Sequence, residues 1–205
     1  MILKNKFETL CLNFTEDKVL IEKFWNEIEK TYSRKSRRYH NLQHLETLFE
    51  EIEHVKDKIK NFNTISFSIF YHDVIYNATS KLNEEKSADV AKERLEILGL
   101  NNEDLQQVYE QILATKSHQK SENEDTNFLL DADLSVLGKS NEVYSEYTKQ
   151  IRKEYSIYPD FLYKPGRKKV LQHFLELESI FKTEFFRNKY EIQARENIEY
   201  ELKGL

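Results

Sequence analysis

The chain has little of what makes tight turns and covalent staples: four Gly, two Pro and one Cys in 205 residues. An all-β sandwich or barrel needs Gly or Pro at its corners, and collagen-like or Pro-rich disordered chains need far more of both, so these classes fall away. A single cysteine, Cys11, makes no intrachain disulfide and builds no thiolate zinc site, which suits a reducing setting. Charge of one sign is also scarce. With 31 Lys and Arg against 36 Asp and Glu, the net charge of −5 offers no global field for nucleic acid or an anionic membrane. No stretch approaches about 18 uncharged apolar residues, and Lys4, Lys6 and Glu8 interrupt the apolar run that a signal peptide would need. The expectation is a cytoplasmic protein with no nucleic-acid or membrane partner; a homodimer is left open.

Large apolar area is abundant instead: 13 Phe, 12 Tyr and one Trp are enough for one sizeable core, read here as a single domain over residues 1–205. Helical spacing recurs throughout, so the fold class expected is all-α. Leu20, Phe24, Trp25, Ile28 and Tyr32 share one face, and His40, His44, Leu48, Ile52, Val55 and Ile59 share another. The run Ile65–Ile75 is almost entirely apolar apart from Ser66, Ser68, His72 and Asp73 and is read as a helix buried all round, although its β-branched and aromatic content also suits a strand. Further helices are expected over Glu84–Leu98 and Thr126–Leu137, with Gly99 and Gly138 as their left-handed caps, and over Glu103–Lys116, opened by Asn101 or Asn102. Ser140 caps another, to about Tyr155. Ser156–Arg167, with Pro159, Pro165 and Gly166, reads as a long loop, followed by helices over Lys168–Phe181 and Glu184–Leu202.

Four short segments carry candidate chemistry: Tyr39-His40-Asn41-Leu42-Gln43-His44, His72-Asp73, Ala114–His118, and Asp131-Ala132-Asp133. Two histidines four apart lie one above the other on a helix, as two metal ligands, or a ligand and an acid, require; alone, such a pair is more often structural. Asp73 is harder to dismiss, because an ionised carboxylate inside Ile69–Ile75 is desolvated at a cost of several kcal/mol unless a cation or a salt bridge compensates it. Asp131 and Asp133 repeat the problem among Phe128, Leu129, Leu130 and Leu134. His44, His72, Asp73 and one of those two aspartates make a mixed nitrogen and oxygen set that suits Mn²⁺, Fe²⁺, Zn²⁺ or Mg²⁺, with Co²⁺ and Ni²⁺ also admitted. Arg37, Lys116, Arg152 and Arg167 are the cations placed to meet a phosphate, Arg37 first because it adjoins the histidine pair. His118 is a second acid, a partner of a ligand, or a plain loop residue. Glu191 and Arg195, four apart, read as an exposed ion pair.

In order and spacing these segments resemble the HD superfamily of metal-dependent phosphohydrolases, over about residues 37–138. Tyr39–His44 is similar to the Tyr-His-Asn-x-x-His motif of cyclic nucleotide phosphodiesterases, Asp133-Leu134-Ser135 to their Asp-Leu-Ser, and Ile112–Thr115 to their Ile-Leu-Ala-Thr. A fuller likeness is to a small bacterial group within the superfamily. Its pattern is met by Arg37–His40, His72–Tyr76, Asn83–Ala88, Asp131–Leu134, Arg152–Tyr155 and Ala194–Asn197, which spans nearly the whole chain.

The resemblance implies an HD-type helical bundle, with residues 140–202 as C-terminal helices packed on the motif core. It also implies His44, His72, Asp73 and Asp133 as metal ligands, Asp131 as the alternative fourth, and His40 as general acid. Where the phosphodiesterases carry a further histidine three residues after their His-Asp pair this chain has Tyr76, so one ion is expected, not two. The chain is shorter than their catalytic domains and has no recognisable purine-selecting glutamine. The function implied is hydrolysis of a phosphoester or phosphoanhydride of a nucleotide or small phosphorylated metabolite; the alternative is a regulatory protein that binds metal and nucleotide without turnover.

Overall fold

A computed structural model describes residues 2–205. The regular structure of the described residues is ten α-helices and two short 3₁₀ turns, with no strand among them. The all-α expectation holds, and no helix among the described residues is long and apolar enough to cross a membrane. The chain divides into two compact units, Met1–Leu129 and Leu130–Leu205.

The first unit contains α1 (Ile2–Cys11), α2 (Lys18–Tyr32), α3 (Leu42–Glu53), α4 (Phe62–Tyr71), α5 (Asn83–Leu98), α6 (Asn102–Ala114) and the start of α7 (Glu124–Leu134). The opening segment is a helix because Leu3, Phe7, Leu10 and Cys11, at helical spacing, all bury. α4 lies at the centre, in contact with α1, α3, α5 and α6, and every residue from Thr64 to Tyr71 is buried. The strand alternative is excluded by how its hydroxyls are satisfied. Thr64 and Ser66 donate back to the carbonyls of Asn61 and Phe62 at 3.0 and 2.7 Å, and Ser68 donates to Gln111 Oε1 at 2.7 Å. Around α4 the rings of Phe7, Trp25, Phe49, Phe70 and Tyr71 pack edge-on or tilted; Phe7 meets Phe70 at 5.1 Å and 82°. Gly99 caps α5 with φ +99°.

The second unit holds the end of α7, the 3₁₀ turn Ser135–Gly138, α8 (Asn141–Glu154), α9 (Asp160–Glu176) and α10 (Glu184–Gly204). α10 buries Phe186, Tyr190, Ala194, Asn197 and Ile198, and it packs on α9 and the 3₁₀ turn. Four expectations are corrected here. Gly138 is not a left-handed cap: a Cβ there would lie 2.5 Å from Tyr190 Cβ and 2.7 Å from its carbonyl oxygen, so glycine is needed for close approach. The long loop is short, because α9 starts after Pro159 and runs through Pro165; the proline removes the N–H that Phe161's carbonyl would accept, on an exposed stretch. Nor does that helix reach Phe181. Glu191 accepts the N–H groups of Ile180 and Phe181, while Arg195 donates to the carbonyls of Leu175, Leu177 and Glu178, and these bonds hold residues 177–181 in a non-helical path. The pair read as an exposed surface bridge is a clamp.

Candidate metal centre

The first candidate segment is organised by a cap. Asn41, with extended backbone, accepts the N–H groups of Gln43 and His44 on its side-chain oxygen, at 2.9 and 3.4 Å, and its amide donates to Arg38's carbonyl at 2.8 Å. α3 therefore begins after His40. His44 sits in the first turn and is 3% exposed, whereas His40 lies before the cap on a bend. The expected stacking of both on one helix face is corrected to a turn and a helix that bring the two rings to 5.7 Å. His40 also lies against the Tyr76 ring at 4.3 Å.

The second segment is likewise displaced from the helix interior. α4 ends at Tyr71; His72 is its cap residue, and Asp73 lies in the following turn, half-buried. His72 Nδ1 is 2.9 Å from the carbonyl of Ile69. A carbonyl only accepts, so Nδ1 carries the proton and the Nε2 lone pair of the neutral ring points away from the α4 backbone. That lone pair faces His44 Nε2 at 3.3 Å and Asp73 Oδ2 at 3.3 Å, and Asp73 Oδ2 is 4.0 Å from His40 Nε2. Two imidazole nitrogens this close require a proton or a cation between them. Two donors each about 2.1 Å from one ion lie about 3.0–3.4 Å apart for bond angles near 90–110°, so each separation taken as a pair is that of two donors on one ion. The Ile69 carbonyl supplies the outer partner that a metal-bound histidine ordinarily has.

The backbone of the His72–Tyr76 turn is held from several sides. Tyr32's hydroxyl accepts the Asp73 N–H at 3.2 Å. Ser87's hydroxyl bonds both the N–H and the carbonyl of Ile75, and Asn83's amide bonds both polar groups of Asn77. The Asn83–Ala88 segment thus supports the centre through the backbone. Tyr32 was legible only as one of the apolar positions of α2; nothing in its spacing announces a hydroxyl aimed at Asp73.

Arg37 is buried beneath the same turn, its guanidinium donating to the carbonyls of His40, Asp73 and Val74. Lys116 is engaged elsewhere, by the Glu85 carboxylate and by Lys81's carbonyl, and its ammonium holds the Glu85 carboxyl below the usual range. His118, half-buried after α6, takes a left-handed backbone at φ +51° with its N–H on Ala114's carbonyl. Arg152 donates to the carbonyls of Tyr155 and Tyr158 and to Asp160, and Arg167 makes a two-pronged pair with Glu201.

In the second unit the two aspartates differ. Asp131 is fully buried and accepts three hydrogen bonds, from the N–H groups of Lys182 and Thr183 and from Thr183's hydroxyl, each at 2.7 Å. Burial pushes its carboxyl up, opposed by those bonds. These bonds fasten the entry to α10. Asp133, two residues on, is half-buried. No family model, curated protein or solved structure matches the chain.

Proposed function

We propose that this chain is a metal-dependent phosphohydrolase of the HD type, acting on a phosphoester or phosphoanhydride of a nucleotide or small phosphorylated metabolite. The observation that carries the proposal is that His72 Nε2 lies 3.3 Å from His44 Nε2 and 3.3 Å from Asp73 Oδ2, with His72 held in the tautomer that leaves its Nε2 lone pair available. Two neutral nitrogens and a carboxylate oxygen suit a divalent ion of the Mn²⁺, Fe²⁺, Zn²⁺ or Mg²⁺ kind. Asp133 is the fourth ligand proposed on the sequence resemblance, and the commitment of both Asp131 oxygens to Lys182 and Thr183 favours it over that alternative. When bound, the ion supplies Lewis acidity toward a phosphoryl oxygen and makes water acidic enough to attack near neutral pH.

The chain's own residues do the rest. Ile69's carbonyl fixes the His72 ring, and the Asn41 cap sets His44 in the first turn of α3, so both imidazoles are in place before substrate arrives. His40, outside the helix and 4.0 Å from the Asp73 carboxylate, holds its proton for the leaving oxygen. Tyr76 fills the position where a second histidine would add a ligand and packs on His40, which supports a single ion.

The test is phosphate release from a panel of phosphorylated compounds under Mn²⁺, Mg²⁺, Co²⁺ or Ni²⁺, beside metal analysis of wild type and Asp73→Ala. Stoichiometric metal and turnover in wild type alone are the expected result. Metal with ligand binding and no turnover would favour the regulatory alternative, and a metal-free protein with unchanged stability after His72→Ala would sink both.

A further inference from the structure

Arg37 was expected to meet phosphate, yet its surroundings suit another task. It closes a tight turn, its N–H on Arg34's carbonyl at 2.9 Å, and its side chain runs inward until the residue is only 5% exposed. The guanidinium lies over the rings of Tyr32 and Tyr76, at 4.7 and 5.6 Å. Nη1 donates to Asp73's carbonyl at 2.6 Å and to His40's at 3.3 Å, and Nη2 donates to Val74's at 3.0 Å. These carbonyls belong to two segments far apart in sequence, one bearing His40 and the other His72 and Asp73.

We propose that Arg37 is a positioning residue, a rigid fork that locks the His40 bend to the His72-Asp73 turn, and not a phosphate contact. The inference rests on the phosphohydrolase reading for the identity of His40 and Asp73, but the fork itself does not depend on it. The peptide groups on both sides of Asp73's Cα are gripped by one pair of neighbours: the N–H by Tyr32's hydroxyl and the carbonyl by Arg37. With both peptides fixed, the carboxylate has little freedom except rotation of its own side chain, so its 3.3 Å approach to His72 and 4.0 Å approach to His40 are set from the backbone. A planar guanidinium with donors in a fixed fork reaches several carbonyls at once; a lysine ammonium does not. A cation already pointed at three carbonyls, against two rings and only 5% exposed, offers little surface to an incoming anion.

Two experiments test this on the chain of residues 1–205. In the wild type, ¹⁵N NMR of arginine side chains should find Arg37 Nη groups clamped, with slow rotation about Cζ–Nη and no shift on adding inorganic phosphate with Mg²⁺. Free rotation, or a phosphate-induced shift, overturns the proposal. In Arg37→Lys, amide exchange at Asp73 and Val74 should rise at least about tenfold. The kcat for the best substrate of the panel should fall about 10- to 100-fold, with KM and the inhibition constant of inorganic phosphate within about twofold. Unchanged exchange with KM and that constant raised about tenfold identifies a phosphate contact instead. A wild type that takes up no metal and releases no phosphate removes the hydrolase reading alone, and rotation and exchange still decide Arg37. If Arg37→Lys does not fold, the wild-type measurement decides by itself.

Discussion

Both units bury polar and charged side chains that close on complementary partners, and the first unit adds one pairing of a different kind. In Leu130–Leu205 several such groups close on complementary partners: Arg167 on Glu201, Asp131 on Lys182 and Thr183, Asn197 on the carbonyls of Leu137 and Lys139, and Glu191 and Arg195 on the backbone before α10. In Met1–Leu129, His44 and His72 turn the same kind of nitrogen toward each other, with Asp73 at 3.3 Å from His72. A donor meeting an acceptor is what stability selects; ligand atoms gathered face to face are what an ion selects. The comparison teaches that burial of a charged residue alone does not mark a site, and that the marker is which atoms face each other.

The comparison is broken or sharpened by substitutions in either region. The largest effect is expected from His40→Asn, which should cut phosphate release about 10²- to 10⁴-fold while metal content measured on the same sample stays at the wild-type level; loss of the metal as well would make His40 a ligand. Arg167→Met comes next. It takes the cation from Glu201, whose side chain is 11% exposed and keeps the Tyr144 hydroxyl as a donor, and chemical denaturation should find the protein about 3 kcal/mol less stable, with metal uptake intact.

The two aspartates then separate in opposite senses. Asp131→Asn replaces an acceptor oxygen with an amide facing buried donors and should cost about 1–3 kcal/mol in denaturant titration without changing metal affinity. Asp133→Asn should weaken metal affinity about 10- to 100-fold with little change in the unfolding midpoint. If the two behave alike, the distinction between fastener and ligand fails.

The smallest effect concerns Cys11, fully buried in α1, whose thiol is pushed up from 9.0 to about 12 by desolvation. The folded state holds this proton more tightly than the unfolded chain does. Its contribution to stability is therefore complete below pH 9.0 and is lost as pH rises toward about 12. Native protein at pH 8 should react with a thiol reagent far more slowly than unfolded protein; rapid labelling would contradict that burial.

Much of the fold was legible because apolar spacing reports burial directly: the faces of α2 and α3 and the all-round apolar α4 follow from side-chain periodicity. Local stops were less legible. Asn41 begins α3 after His40 although the apolar stripe runs through both histidines, because a side-chain cap overrides periodicity. Pro165 sits inside α9, where an exposed helix tolerates one missing hydrogen bond. Gly138 looked like a cap and is a contact with Tyr190, which no local pattern encodes.

Taken by itself, the sequence determined the helical class, the buried faces, and which residues carry imidazole and carboxylate chemistry, since composition and spacing are properties of the chain alone. Only tertiary structure decided that His44 and His72, one opening α3 and the other closing α4, meet at 3.3 Å, that Ile69's carbonyl sets the tautomer of His72, and that Arg37 points at backbone. Those outcomes depend on distances between segments remote in sequence, and such distances are set by how helices pack, not by the order of residues within them.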